Sequence, residues 1–336
     1  MKKLTTVLVL LALVVSAGIT IWWFFIASFG DRQLEVFLAN AAKNGTVVTI
    51  SERERSGFPF KVRWRLRGVA VSHRSGEGVL EGQIPEVLAE TGVFEPQRTL
   101  FAVRSMQKWR WSPADGSPAR VYTAQSSAGM VGPNEAASGW RAEAALNQIA
   151  WTSGGDGRNG SAERATLEAI VPLDRSSVTF DVGMSAIELP DELVFGRTVE
   201  KALIAGRVDP LPRDLSPDGL INWQKSGGTV TISRSSLVYG ALDGGAEGEV
   251  SLGPDMRPEG QFNLTVLDPQ SLLDIALREG WVRPDQQRYA ELGMTLFSRS
   301  NAAGQRELAA RLDLREGGLW MGPLRLAELE PLVPVR

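Results

Sequence analysis

The chain has no cysteine and one histidine, His73, in 336 residues. No disulfide framework is possible, and no thiolate can act as nucleophile or metal ligand. A zinc site would have to be built almost entirely from carboxylates, so no metal or cofactor is expected. Serine–histidine–aspartate chemistry would have to run through His73 alone. A charge excess is also missing, with 36 Lys and Arg against 39 Asp and Glu. A nucleic-acid binder normally carries a basic surplus, so no nucleic-acid partner is expected. Disorder is excluded as well, because 43% of the residues are apolar.

What is present begins at the N terminus. Leu4 to Gly30 carry no charged side chain, and Val7 to Ala27 form the densest apolar part. Those 21 helical residues reach roughly 31 Å, one hydrocarbon thickness. Residues 1–30 are therefore expected to be a transmembrane anchor. Lys2 and Lys3 precede the run, and Arg32 is offset by Asp31 and Glu35. The positive-inside rule then puts the N terminus in the cytoplasm and the body outside. Trp22 to Phe25 supply the aromatic belt at the far end. A cleaved signal peptide is the competing reading, since Val15-Ser16-Ala17 fits the cleavage pattern. The apolar run continues well past Ala17, however, and cleavage would leave a sticky terminus.

Beyond the anchor, Leu34, Phe37, Leu38 and Ala41 share one helical face, and Asn44-Gly45 ends that helix. The period then becomes two. Phe58, Phe60, Val62, Trp64 and Leu66 alternate with Pro59, Lys61, Arg63, Arg65 and Arg67, giving a strand with an apolar and a cationic face. Further strands are expected at 99–104, 108–111, 121–126, 142–151, 165–172 and 177–186, and a short helix at 193–205. A polar, proline-rich stretch at 209–219 marks the best internal boundary, giving halves 31–208 and 209–336. In the second half, strands are expected at 229–234, 236–242, 247–252 and 260–266, with Asp243-Gly244-Gly245 as a turn. Asp268 is expected to cap a helix at 270–279 that Gly280 stops, and a second helix follows at 284–296. A turn at 301–304, a strand from Leu308 and a last strand at 319–326 complete the chain. Together these imply an α+β fold, predominantly antiparallel β: a transmembrane helix, then a curved β-sheet body with a few helices. Gly45-Thr46-Val47-Val48-Thr49-Ile50 is echoed by Gly228-Thr229-Val230-Thr231-Ile232, a pattern that would fit duplication of one plan.

The anchor ending WWFFIA, the block SGFPFKVRWRLRGVAV, the segment DPQSLLDIALREGWV and the ending LDLREGGLWMGPLRLAELEPLV occur in this order. The order resembles the bacterial domain-of-unknown-function family 2125, over about residues 10–333. The Gly-Gly turn followed by Gly-Pro-Leu-Arg-Leu is also similar to AsmA-type envelope proteins. The resemblance implies a single-pass protein of the bacterial inner membrane with a periplasmic body. It brings no assigned activity to any residue here.

Candidate chemistry is thin. Ser105-Met106-Gln107-Lys108 fits S-x-x-K, but neither S-D-N nor K-T-G is present and the segment lies among strands. His73 reads as a solvated residue at a strand end. The glycine-rich segment 154–160 is like one copy of a calcium-binding turn, yet such turns act in tandem arrays. Lys61, Arg63, Arg65 and Arg67 are the sharpest candidates. Four cations in a row repel, so either opposing acids such as Glu52 and Glu54 or an anionic ligand must lie beside them. Phospholipid headgroups at the membrane surface would serve. Trp64, Trp109 and Trp111 are candidates to line an apolar groove for an acyl chain, or else fill a core. The expected function is a non-catalytic envelope protein that binds or guides lipid. The alternatives are an adaptor that binds another envelope protein through a sheet face or edge, and a carboxylate-based glycan enzyme.

Overall fold

The computed structural model describes residues 2–152, 158–214, 216–279, 287–300, 304, 306–322 and 324–333. Of residues 2–14, and of 276, 289, 290, 293, 296, 297, 324 and 326, only the backbone is described. The chain is α+β and dominated by antiparallel strands. Its first element, α1, runs unbroken from Lys2 to Lys43. No proline interrupts that stretch, and Gly45, with φ of +76°, turns the chain out of the helix as its sequence suggests. Among the described residues no helix is long and apolar enough to cross a membrane. The start of the charge-free run, residues 4–14, lies where side chains are not described.

The chain divides into two compact units. The first comprises Met1–Pro133 and Ala142–Asn159. Strands β1 (Thr46–Ser56), β2 (Lys61–Ser75) and β3 (Gly78–Gly92) form one antiparallel ladder. Strands β4 (Glu95–Val103) and β5 (Gln107–Pro113) pair with opposite ends of β3 and again with β6 (Arg120–Pro133). They are two halves of one long strand, broken at Arg104, Ser105 and Met106. Strand β7 (Gly139–Thr152) lies beside β6, where Asn147 donates to Ser126 at 3.3 Å.

Strand β3 is absent from the sequence reading because Pro85, which cannot donate to a ladder, interrupts its pattern. The structure absorbs the proline at a joint. Pairing lapses between Arg67↔Glu86 and Val69↔Ile84, where Gly68 adopts a φ of +59°. Apolar positions change phase across it, from Val62, Trp64 and Leu66 to Val69 and Val71. Helix α1 lies along β1 and β2. Trp23, Ile26 and Ala27 are buried against Val62 and Val93, with Trp64 packed on the cluster. The last third of the charge-free run therefore packs on the sheet.

The second unit comprises Asn134–Arg141 and Gly160–Arg336. Strands β8 (Asn159–Pro172), β9 (Val178–Leu193), β10 (Gly196–Asp209), β11 (Thr229–Tyr239), β12 (Leu242–Leu252) and β13 (Pro258–Leu267) pair in sequence order. Two helices, α3 (Pro269–Arg278) and α4 (Gln287–Phe297), precede β14 (Ser298–Ser300). Strand β15 (Arg306–Arg315) then pairs with β13 on one edge and β14 on the other. The hairpin β16 (Gly318–Met321) and β17 (Leu324–Glu328) closes the order.

Several expectations are corrected here. The helix expected at 193–205 is strand β10: Thr198, Val199 and Ile204 are β-branched, and β9 and β11 satisfy both of its edges. The stretch 209–219, expected as the internal boundary, closes β10 and opens helix α2 (Pro217–Lys225), whose Ser216 hydroxyl accepts from Gly219 N at 3.1 Å. The expected boundary between 208 and 209 thus falls within the second unit. The two strands expected over 229–242 are a single β11 with a register shift between Ile232 and Leu237. The single strand expected at 319–326 is a hairpin. Asp268 is itself left-handed, and its carboxylate accepts from the Ser271 hydroxyl at 2.5 Å instead of capping an amide. Gly280 and residues 301–303 lie outside the described residues. The echoed segments occupy equivalent places: each leads into an 11-residue strand just after a helix and at or beside a left-handed glycine, Gly45 or Gly227.

Candidate functional site

Residues directly opposite each other in a ladder project from the same face. In the second unit this puts Met184, Ala202, Leu237, Gly244 and Val266 in one row across β9 to β13. Ile204, Ser235 and Leu264 belong to the row below, and Phe180, Gly206, Ile232, Gly248 and Phe262 to the next. The result is an apolar sheet face floored by small residues and rimmed by large ones. Gly206 sits 3.1 Å under the Phe180 ring, and Gly248 sits 2.8 Å under the Phe262 ring, distances measured from where a Cβ would stand.

Helix α2 covers one end of this face, with Trp223 buried against Val208 and Val230 and its indole nitrogen donating to the Pro210 carbonyl at 2.6 Å. Above that end lies an open apolar depression of about 430 Å³, lined by Val182, Met184, Ala202, Leu237, Ala246 and Leu264 among others. That volume lies within the range of small-molecule sites, roughly 300–1,000 Å³. Ile204 stays 40% exposed and Leu237 36%, so apolar surface is left uncovered. The opposite face is polar, where Thr231, Glu249, Gln261, Asn263 and Arg311 line a depression of about 640 Å³.

The sequence reading missed this face for a specific reason. Asp243-Gly244-Gly245 looks like a turn but lies inside β12. The chain reverses at Gly240 instead, with φ of +56°. Glycine is required at 245 because a Cβ there would strike the Ser235 carbonyl of β11. Close approach of backbones, not turn geometry, explains the glycines.

The cationic row forms on β2, as its alternation suggests, and is met by acids from both neighbouring strands. Lys61 and Arg63 each reach Glu90 at 2.5 Å. Arg65 pairs with Glu54 at 3.3 Å and Glu86 at 3.5 Å, and Arg67 pairs with Glu52 at 2.9 Å. Hydrogen bonds from Lys61 and then Arg63 hold the Glu90 carboxyl below the usual carboxylate range. The Glu52 carboxylate raises the Arg67 guanidinium above its ordinary value. Four cations meet four carboxylates, so the row is an internally neutral ladder.

Trp64 does not meet Trp109 or Trp111. Trp64 lies under α1, its ring against Gly30 and its indole nitrogen donating to Asp31 at 2.8 Å. Trp109 packs over Gly82, the cross-strand partner of Val71, and Trp111 touches Gly78. Val71 is seven residues along β2 from Trp64, about 23 Å at the rise of a strand.

The remaining candidates take structural places. His73 Nδ1 and the Thr46 hydroxyl share a hydrogen bond of 2.8 Å. Ser105 lies at the break between β4 and β5, not at a helix start. Residues 153–157 of the glycine-rich segment lie outside the described residues. Three Asp-x-Ser turns recur: Asp115, Asp174 and Asp214 each accept from the amide of the serine two residues on; these amides hold Asp115 and Asp174 low, and the Ser216 hydroxyl, then its amide, holds Asp214 low. Among the described residues no cluster of three His, Asp or Glu could hold a metal ion.

The family model described as "Uncharacterized protein conserved in bacteria (DUF2125)" matches residues 23–330. The chain belongs to this family. That match takes in the helix–sheet joint, both units and the apolar face. No curated protein and no solved structure matches the chain. None of these comparisons extends to AsmA-type proteins.

Proposed function

We propose that this family member is a single-pass, inner-membrane-anchored protein whose periplasmic body binds or guides lipid, without catalysis. The observation that carries the reading is the uncovered apolar face of β9–β13, with its depression of about 430 Å³. Burying apolar chain there is favourable by about 25 cal/mol per Å², and the hydroxyl of Ser235 within the rows is already bonded to the Ala246 backbone at 2.7 Å. The anchor follows from the 27 charge-free residues after Lys2 and Lys3. Glu90, Asp115, Asp174 and Asp214 are all held low, whereas a glycosidase acid needs a raised carboxyl. The charge ladder satisfies itself and is not part of the lipid contact.

The test is photocrosslinking in native membranes with a phospholipid carrying a diazirine on its acyl chain. Crosslinks should map to residues 178–267 as well as to α1, and Leu237→Glu should remove them from the sheet. Crosslinks confined to α1 would refute lipid holding.

A further inference from the structure

Helix α1 meets the sheet at one end of the strands. Trp22 donates its indole N–H to the Val93 carbonyl at 2.8 Å, in the β3–β4 turn. Trp23 donates to the Lys61 carbonyl at 2.7 Å, at the end of the β1–β2 turn, and its ring meets Phe58 edge-on with centroids 5.8 Å apart. These bonds set Trp22 and Trp23 level with the tips of two hairpins. Those tips carry Phe58, Phe60 and Phe94, which are 56%, 62% and 77% exposed. Beside them Trp22 and Phe25 stack on each other at 5.6 Å and are also exposed.

Five large aromatics thus form a collar around the point where α1 leaves the sheet. From Lys2 to Ile21, 20 residues of α1 continue past the collar. At 1.5 Å per residue they reach about 30 Å, the thickness of a bilayer's hydrocarbon core. Leu4 to Ile21 are free of charge, and Lys2 and Lys3 stand at the far end. The first charges on the sheet side are Asp31, Arg55, Lys61 and Glu95, the last two level with each other at the base of the hairpin tips. Exposed aromatic rings at the level where a span ends belong in the headgroup region, where an apolar body and a polar tip are both satisfied.

We propose that the two hairpin tips insert their phenylalanines into the membrane interface, so that the first unit rests directly on the bilayer with its strands standing up from it. The proposal builds on the anchor reading above. It names a membrane contact made by the folded body itself, through Phe58, Phe60 and Phe94.

The test exploits the absence of cysteine. Single substitutions Phe60→Cys, Phe94→Cys, Val15→Cys and Gly116→Cys are labelled with a nitroxide in the full chain, in nanodiscs of phosphatidylethanolamine and phosphatidylglycerol. Gly116 lies in the β5–β6 turn at the opposite end of the strands, and Val15 lies within α1. Collision rates with oxygen and with a water-soluble nickel chelate report depth. Labels at 60 and 94 are expected to show an oxygen-to-nickel ratio several-fold above that at 116. A ratio at 60 and 94 equal to that at 116, with 15 reading as lipid, overturns the tip contact and leaves the anchor standing. A water-like reading at 15 overturns the anchor and the tip contact with it.

Discussion

The joint between α1 and the sheet rests on Trp23, and replacing it tests that account most directly. The ring is 6% exposed, packs with Val62 and Val93, meets Phe58 edge-on and lies 5.7 Å from the Arg55 guanidinium. Trp23→Ala removes the whole ring from a site that cannot close, because the helix and strand backbones hold it open. Substitutions of this kind cost about 3–5 kcal/mol. Trp23→Phe keeps most of the packing and loses only the bond to the Lys61 carbonyl, a loss of about 0.5–1.5 kcal/mol. For a unit of roughly 150 residues each kcal/mol lowers the melting temperature by about 2–4 °C. The alanine variant should therefore melt about 6–20 °C lower and the phenylalanine variant about 1–6 °C lower. The assay is thermal unfolding of the full chain in detergent, followed by circular dichroism at strand wavelengths. If both variants melt with the wild type, the helix is not held to the sheet by this residue, and the assigned level of the hairpin tips loses its basis.

Other expectations follow from single features. Glu90→Gln leaves Lys61 and Arg63 without a carboxylate and should cost about 1–2 kcal/mol by urea unfolding, tempered by partial exposure. Because the folded-state pKa of Glu90 is lowered, its contribution is complete above the unfolded pKa near 4 and fades as pH falls through the folded value. Wild type should accordingly lose more stability than Glu90→Gln on acidification below about pH 4. Gly248→Ala would place a methyl directly against the Gln261 carbonyl of β13 and should destabilise the second unit by about 1–3 kcal/mol, read by hydrogen exchange of β12 and β13. A phosphatase that folds only outside the cytoplasm, fused after Arg336, should be active; an inactive fusion with an active cytoplasmic reporter would reverse the topology.

Much of the fold is legible because periodicity survives wherever one face of an element is buried. The alternation of Phe262, Leu264 and Val266 and that of Leu308, Ala310, Leu312 and Leu314 read correctly, as do the helix ending at Asn44-Gly45 and the cationic row of β2. Two of the failures share a cause: residues that normally punctuate a sequence serve here inside strands. Pro85 sits at a lapse in pairing, and Gly244-Gly245 sit where backbones approach too closely for a side chain. The acids that answer Lys61 to Arg67 are half visible, since Glu52 and Glu54 stand close upstream and are named as opposing acids, whereas Glu86 and Glu90 lie in the strand that Pro85 conceals. The apolar face was not legible because it is assembled across five strands, each contributing two or three residues whose alignment depends on register. The tryptophans seemed equivalent as a set of large rings, but position along a strand separates Trp64 from Trp109 and Trp111.

Helix α1 has no hinge between the part that would lie in the bilayer and the part bound to β1 and β2. On the anchored reading such a rod is a lever. Strand β2, with 15 residues, extends about 50 Å from the collar. A helix tilt of 20°, ordinary for a single span, would carry the far end of that strand sideways by roughly 17 Å. A thinner bilayer, which favours a larger tilt, would then shift the outer end of the first unit, and a change of lipid composition would alter the unit's reach without any change in its internal contacts.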